Sequence, residues 1–122
     1  MSQAKVLIVE DEVIAALATE KLLTKLGYDV CGSVTSGEDA LREFDRKSPD
    51  VVIMDIRLDG ELDGIETAQQ LKSRRDVAVI FITAYSDDAT RARAGDTNPA
   101  AFINKPLDMF RLREVLSEIA PP

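Results

Sequence analysis

The chain has 122 residues, about 0.8 of an ordinary domain, with 45% hydrophobic and 30% charged residues, so one globular domain is the default. Lys and Arg number 15 against 22 Asp and Glu, and the resulting charge of −7 repels phosphate backbones and disfavours autonomous DNA or RNA binding. Histidine is absent and Cys31 is the only cysteine, which excludes Ser-His and Cys-His catalysis, histidine-ligated metals, zinc clusters and intramolecular disulfides.

Short apolar runs alternate with helix-period segments along the chain. Val6-Leu7-Ile8-Val9 has no polar alternation, as a strand buried on both faces requires. It is too short for a signal core or a membrane span, and Glu10-Asp11-Glu12 follow at once, so a soluble, cytoplasmic protein with no membrane partner is expected. Residues 13–26 predict a helix with Ile14, Leu17, Leu22 and Leu26 as its apolar groups, closed by Gly27. Residues 28–33 read as a second strand. Ser36 caps a helix over 37–46 with Ala40, Leu41 and Phe44 on one face, and Pro49 ends that segment. Val51 to Met54 is another buried run, ending in Asp55. Gly60 and Gly64 punctuate a loop, and Ile65, Ala68 and Leu71 mark a third helix to about Arg74. Residues 77–82 are a fourth strand, 87–94 a weakly apolar helix and 101–103 a fifth strand. Asp108 caps a last helix carrying Phe110, Leu112, Val115, Leu116 and Ile119.

Five βα units imply a parallel sheet with right-handed crossovers and helices on both faces, with ligands bound at the carboxyl ends of the strands. Function is therefore sought just after Val9, Met54, Ile82 and Ile103. Glu10 and Asp11 end the first strand and Asp55 ends the third. Neighbouring first and third strands would bring three carboxylates together, and a divalent cation is the simple way to keep them ionised. Oxygen-only donors select a hard ion, Mg²⁺ before Mn²⁺. Glu12 reads instead as a solvated or helix-capping acid.

Thr83-Ala84 ends the fourth strand. A hydroxyl and a backbone N–H there can donate to an anion, although alone Thr83 reads as a cap or turn residue. Asn104-Lys105-Pro106 follows the fifth strand and aims a point positive charge at the acids; Pro106 also raises the chance of a cis bond. Carboxylates for Mg²⁺ with Thr83 and Lys105 waiting for an anion suit phosphoryl transfer, which needs positioning and charge neutralisation. No Ser, Cys or His sits among the acids, so a carboxylate must be the nucleophile. Asp55, ending the central buried strand, is the best candidate for an aspartyl phosphate.

These residues resemble the receiver domain of bacterial two-component response regulators, the chemotaxis-regulator-like family. The matching motifs are Glu10-Asp11, Asp55, Asp63-Gly64, Thr83-Ala84 and Lys105-Pro106, in order and at strand ends, from Lys5 to about Ile119. The resemblance implies a flavodoxin-like doubly wound α/β fold, a five-stranded parallel sheet of order 2-1-3-4-5 flanked by five helices. It implies Asp55 as phosphoacceptor, and Asp11, Asp55 and the Arg57 backbone carbonyl as Mg²⁺ ligands, with Glu10 helping directly or through water. Thr83 and the Ala84 N–H resemble the phosphate contacts and Lys105 the cation that pairs with the phosphate. Phe102 occupies the switch-aromatic position; a plain core Phe is the competing reading.

Two departures stand out. The loop from Asp55 to Gly64 is one residue longer than the common form and lacks its proline, which leaves its geometry open. The switch aromatic is Phe, without the hydroxyl of a Tyr. Arg57 and Tyr85 flank the site, and a bulky Tyr85 would slow hydrolysis by excluding water.

The phosphodonor histidine then belongs to a partner, a histidine kinase or a histidine phosphotransfer protein. The resemblance implies docking on the first helix, with Ile14, Ala15 and Ala18 as candidates and core packing as the rival for Ile14. Readout is expected on the fourth helix, fifth strand and fifth helix, towards a downstream protein target or a fused effector, with a phosphorylation-dependent dimer as one form of output. Residues 1–122 read as one receiver with no output domain in the chain, either stand-alone or ahead of further modules; the Gly60-to-Gly64 loop resembles receivers placed before sensor or kinase modules. Such a domain is not an enzyme on external substrates. Two other readings stay open: an Mg²⁺-dependent aspartyl-phosphate phosphohydrolase, which usually carries its nucleophile in Asp-x-Asp after the first strand, and a pseudo-receiver that only binds partners.

Overall fold

The apolar runs at residues 6–9, 51–54 and 79–82 leave no polar face to put in water, and with two less buried neighbours they assemble in the computed structural model into one parallel sheet. The structure describes residues 3–84 and 87–122. The elements are β1 (Lys5–Val9), α1 (Val13–Lys25), β2 (Asp29–Val34), α2 (Gly37–Lys47), β3 (Val51–Met54), α3 (Gly64–Arg74), β4 (Ala78–Thr83), α4 (Asp88–Gly95), β5 (Ala101–Asn104) and α5 (Met109–Ile119). The strand order is β2-β1-β3-β4-β5, as the resemblance implied. The order reverses between β1 and β3, so the crevice for a ligand opens at their carboxyl ends. Among the described residues no helix is long and apolar enough to cross a membrane.

Alternate residues of the strands feed two separate cores. Leu7, Val9, Val52, Met54, Val79 and Phe81 face Ala40, Phe44, Ile65, Ala68 and Leu71 of α2 and α3. Val6, Ile8, Val51, Ile53, Ile80 and Ile82 face Leu23 of α1 and Leu112, Val115 and Leu116 of α5. The apolar faces predicted for the second and third helices are the ones that pack, with Leu41 half-buried.

The first helix turns differently from its sequence pattern. It buries Ala16, Thr19 and Leu23. Ile14 is 84% exposed and Leu17 50% exposed, which corrects the expected apolar stripe. Small Ala16 lets the helix approach the sheet, and the Thr19 hydroxyl is satisfied by the Ala15 carbonyl at 3.0 Å, so a polar residue can be buried. The last helix needs the same correction at one position. Leu112, Val115 and Leu116 fill its buried face and Phe110 points to solvent at 81% exposure.

Caps set the helix starts. Ser36, Asp63 and Asp87 accept the Asp39, Glu66 and Thr90 N–H groups, and Asp108 accepts from Phe110 and Arg111. Glu12 stands at the start of α1 without a side-chain cap. Gly27 follows α1 at φ +96°, a left-handed conformation suited to a residue without Cβ.

Candidate functional site

Register brings the acids together. Val9 pairs with Met54, and the Asp55 N–H donates to the Val9 carbonyl at 2.9 Å, so Glu10 and Asp55 leave adjacent strand ends side by side. Glu10 and Asp55 are buried, at 8% and 7% exposure. Glu10, Asp11 and Asp55 each bring a carboxylate oxygen within 4.8 Å of the others. That set is all hard oxygen, held where charge is poorly solvated, and it fits a divalent cation such as Mg²⁺.

Lys105 reaches the same point from the far strand. Its Nζ donates to Glu10 Oε1 at 2.7 Å and Asp55 Oδ2 at 2.9 Å, with exposed Glu12 at 3.7 Å. The Lys105 N–H donates to the Thr83 carbonyl at 2.8 Å, and the Lys105–Pro106 bond is cis. Burial pushes the Glu10 carboxyl up to about 7, against the Lys105 hydrogen bond and with the help of the nearby Asp55 charge. Burial works against the Lys105 ammonium, but its hydrogen bonds to Glu10 and Asp55 outweigh that and raise its pKa above the ordinary lysine value. Two buried acids thus share one cation, which lowers the Glu10 pKa less than burial raises it.

Met54 pairs with Phe81, so buried Thr83 stands just beyond the level of Asp55, and exposed Ala84 follows it. Arg57 is exposed, and its N–H donates to Asp55 Oδ1 at 3.3 Å. Gly64 abuts the strand end so closely that a Cβ there would run into the Asp55 carbonyl. The site thus gathers Glu10, Asp11, Asp55 and Lys105 directly, with Thr83, Ala84 and Arg57 at its rim. Tyr85 lies outside the described residues.

Half-buried Phe102 meets Phe81 with ring centroids 6.3 Å apart, and the Arg91 guanidinium lies 4.5 Å above its ring. Arg93 bonds Asp63 at 3.1 Å, tying α4 to the cap of α3. Neither contact was foreseen, because nothing in a spacing of 11 or 30 residues marks such a pair. A cavity of about 240 Å³ opens beside Lys105, between Ala15 and Ala18 of α1 and Pro106 and Leu107 before α5.

Residues 6–117 match the model of the response regulator receiver domain. The chain belongs to that family. Receiver domains of this family serve two-component response regulators, and this is one of them. It is 30% identical to the chemotaxis protein CheY of Thermotoga maritima over 95% of this chain and 97% of that protein. It is 32% identical to the transcriptional regulatory protein PdtaR of Mycobacterium tuberculosis over 88% of this chain and 52% of that protein. The chain spans about half the length of PdtaR and of several other curated relatives it matches. Among solved structures it resembles the signal receiver domain of a modulated diguanylate cyclase from Desulfovibrio desulfuricans G20. The TM-score is 0.90 at 38% identity, covering 97% of this chain and 94% of that one.

Proposed function

We propose that this receiver accepts a phosphoryl group on Asp55 from a phosphohistidine of a kinase or phosphotransfer protein. The observation that carries the reading is Lys105 Nζ within 2.9 Å of Asp55 and 2.7 Å of Glu10, at the end of the central buried strand. Glu10, Asp11 and Asp55, with the Arg57 carbonyl, would hold Mg²⁺, whose charge when bound would help neutralise the phosphoryl oxygens. An Asp55 carboxylate oxygen forms the new P–O bond as the P–N bond to the donor histidine breaks. Lys105 turns from the free carboxylate to the phosphoryl oxygens. The Thr83 hydroxyl and Ala84 N–H donate to the same group.

Contacts of that kind favour one conformation of the Thr83–Phe102 region over another, and the shift alters what the α4–β5–α5 face presents to a downstream protein, a fused effector or a second copy. The domain catalyses only its own phosphorylation and dephosphorylation. Its setting is cytoplasmic, where a lone thiol such as Cys31 stays reduced.

Intact mass after incubation with Mg²⁺ and a small-molecule phosphodonor tests the assignment. One phosphoryl group is expected on the wild type, and none on Asp55→Asn or in chelator. An equal adduct on Asp55→Asn would place the acceptor elsewhere.

A further inference from the structure

The loop that follows the phosphoacceptor is held from outside. Its neck is closed by the Gly64 N–H on the Ile56 carbonyl at 2.7 Å, and Leu58 packs against the α2–α3 core. Beyond Leu58 the backbone leans on the segment before α2. The Asp59 N–H donates to the Thr35 carbonyl at 3.3 Å, and Asp59 pairs with Ser36 in an isolated parallel bridge. The Leu62 N–H donates to Glu38 Oε1 at 3.1 Å, across 24 residues of chain. Gly60, at φ +89°, lies so close that a Cβ would run into Glu38 Oε2.

Capping of α2 does not account for Glu38, because Ser36 already accepts the Asp39 N–H at 3.2 Å. The carboxylate is turned to the neighbouring loop. It takes the place of internal support in a loop that is longer than the common form and has no proline.

We propose that Glu38 is a positioning residue for the metal and phosphoryl site. Accepting the Leu62 N–H group, its carboxylate fixes the loop that begins at Asp55 and carries the Arg57 carbonyl. This rests on the assignment of Arg57 and Asp55 to the metal given above. A loop ordered in advance need not be ordered when the cation binds, so the clamp appears as metal affinity although Glu38 touches no metal.

The test is an Mg²⁺ titration followed by backbone NMR shifts of residues 55–62, without phosphodonor, on wild type, Glu38→Ala and Glu38→Gln. Glu38→Ala is expected to raise the half-saturating Mg²⁺ by about tenfold, the lower end for groups that orient metal ligands. Glu38→Gln keeps a carbonyl acceptor and is expected to stay near wild type. Unchanged sheet signals show that each variant is folded. Equal half-saturation in all three proteins would overturn the clamp, and so would equal weakening in Ala and Gln, which would make the effect one of charge alone. The phosphoacceptor assignment is judged separately, by the adduct on the wild type. A wild type that binds Mg²⁺ at these residues but takes no phosphoryl group defeats that assignment and leaves the clamp to the titration.

Discussion

Lys105 is a cation that both buried acids of the site share, and its removal has a calculable sign. Glu10 and Asp55 keep only 8% and 7% of their surface in water, so losing the ammonium leaves two carboxylates facing each other with little solvent to separate them. In chelator, Lys105→Met is expected to lower unfolding free energy by about 1–3 kcal/mol, below the range for a fully buried pair because the lysine side chain retains 21% exposure. Mg²⁺ can replace the missing charge. The variant has no ammonium competing for the acids, so it gains more from the metal than wild type does, and the gap should narrow. Urea unfolding of both proteins with and without Mg²⁺ measures this. A gap of the same size in both buffers would mean that the lysine stem stabilises by packing, not by charge.

At the scale of the helix, α1 presents more apolar surface than the sheet covers. Val13, Ile14 and Leu17 are 64%, 84% and 50% exposed, at the end of the helix next to Glu10 and Asp11. An apolar patch beside a phosphoryl site suits a docked donor protein, and the competing reading, that Ile14 is core, does not fit its exposure. Ile14→Ser is therefore expected to change stability by less than about 0.5 kcal/mol, as surface substitutions do. It should slow phosphoryl transfer from a phosphohistidine protein and leave transfer from a small-molecule donor unchanged. Equal slowing with both donors would place the effect in the site itself. The same helix marks where sequence reading stopped. The strands were legible because unbroken runs such as Val6–Val9 and Val51–Met54 admit one burial, and the acids and Lys105 were legible because strand ends fix their place. The face of α1 was not, since Ile14, Leu17, Leu22 and Leu26 fit a helical period, whereas small Ala16 and self-satisfied Thr19 let the face they share with Leu23 approach the sheet. Glu38 was unreadable for another reason: its partner lies 24 residues away and the bond is to backbone, which carries no side-chain signal.

Across the whole molecule, stability is uneven in a way that suits a switch. α3 buries Gly64, Ile65, Thr67, Ala68 and Leu71, whereas α4 buries only Ala94. What holds α4 is peripheral: the Asp87 cap, Arg91 over the Phe102 ring at 4.5 Å and the half-exposed Arg93–Asp63 pair at 3.1 Å. Few buried apolar contacts and exposed backbone mean a low cost of local opening. Two of these tethers end on parts that a phosphoryl group would disturb, since Phe102 pairs with Phe81 two residues before Thr83 and Asp63 closes the loop that starts at Asp55. A small displacement at Thr83 therefore acts on an element that has little to lose by moving. Native-state hydrogen exchange should find α4 amides opening at least about tenfold more readily than those of α3, a difference of about 1.4 kcal/mol. Phosphorylation with a small-molecule donor should then change protection in α4 and β5 and leave α2 as it was. If α4 proves as well protected as α3, or if the change falls in α2, the signal leaves the site by another route than Thr83 and Phe102.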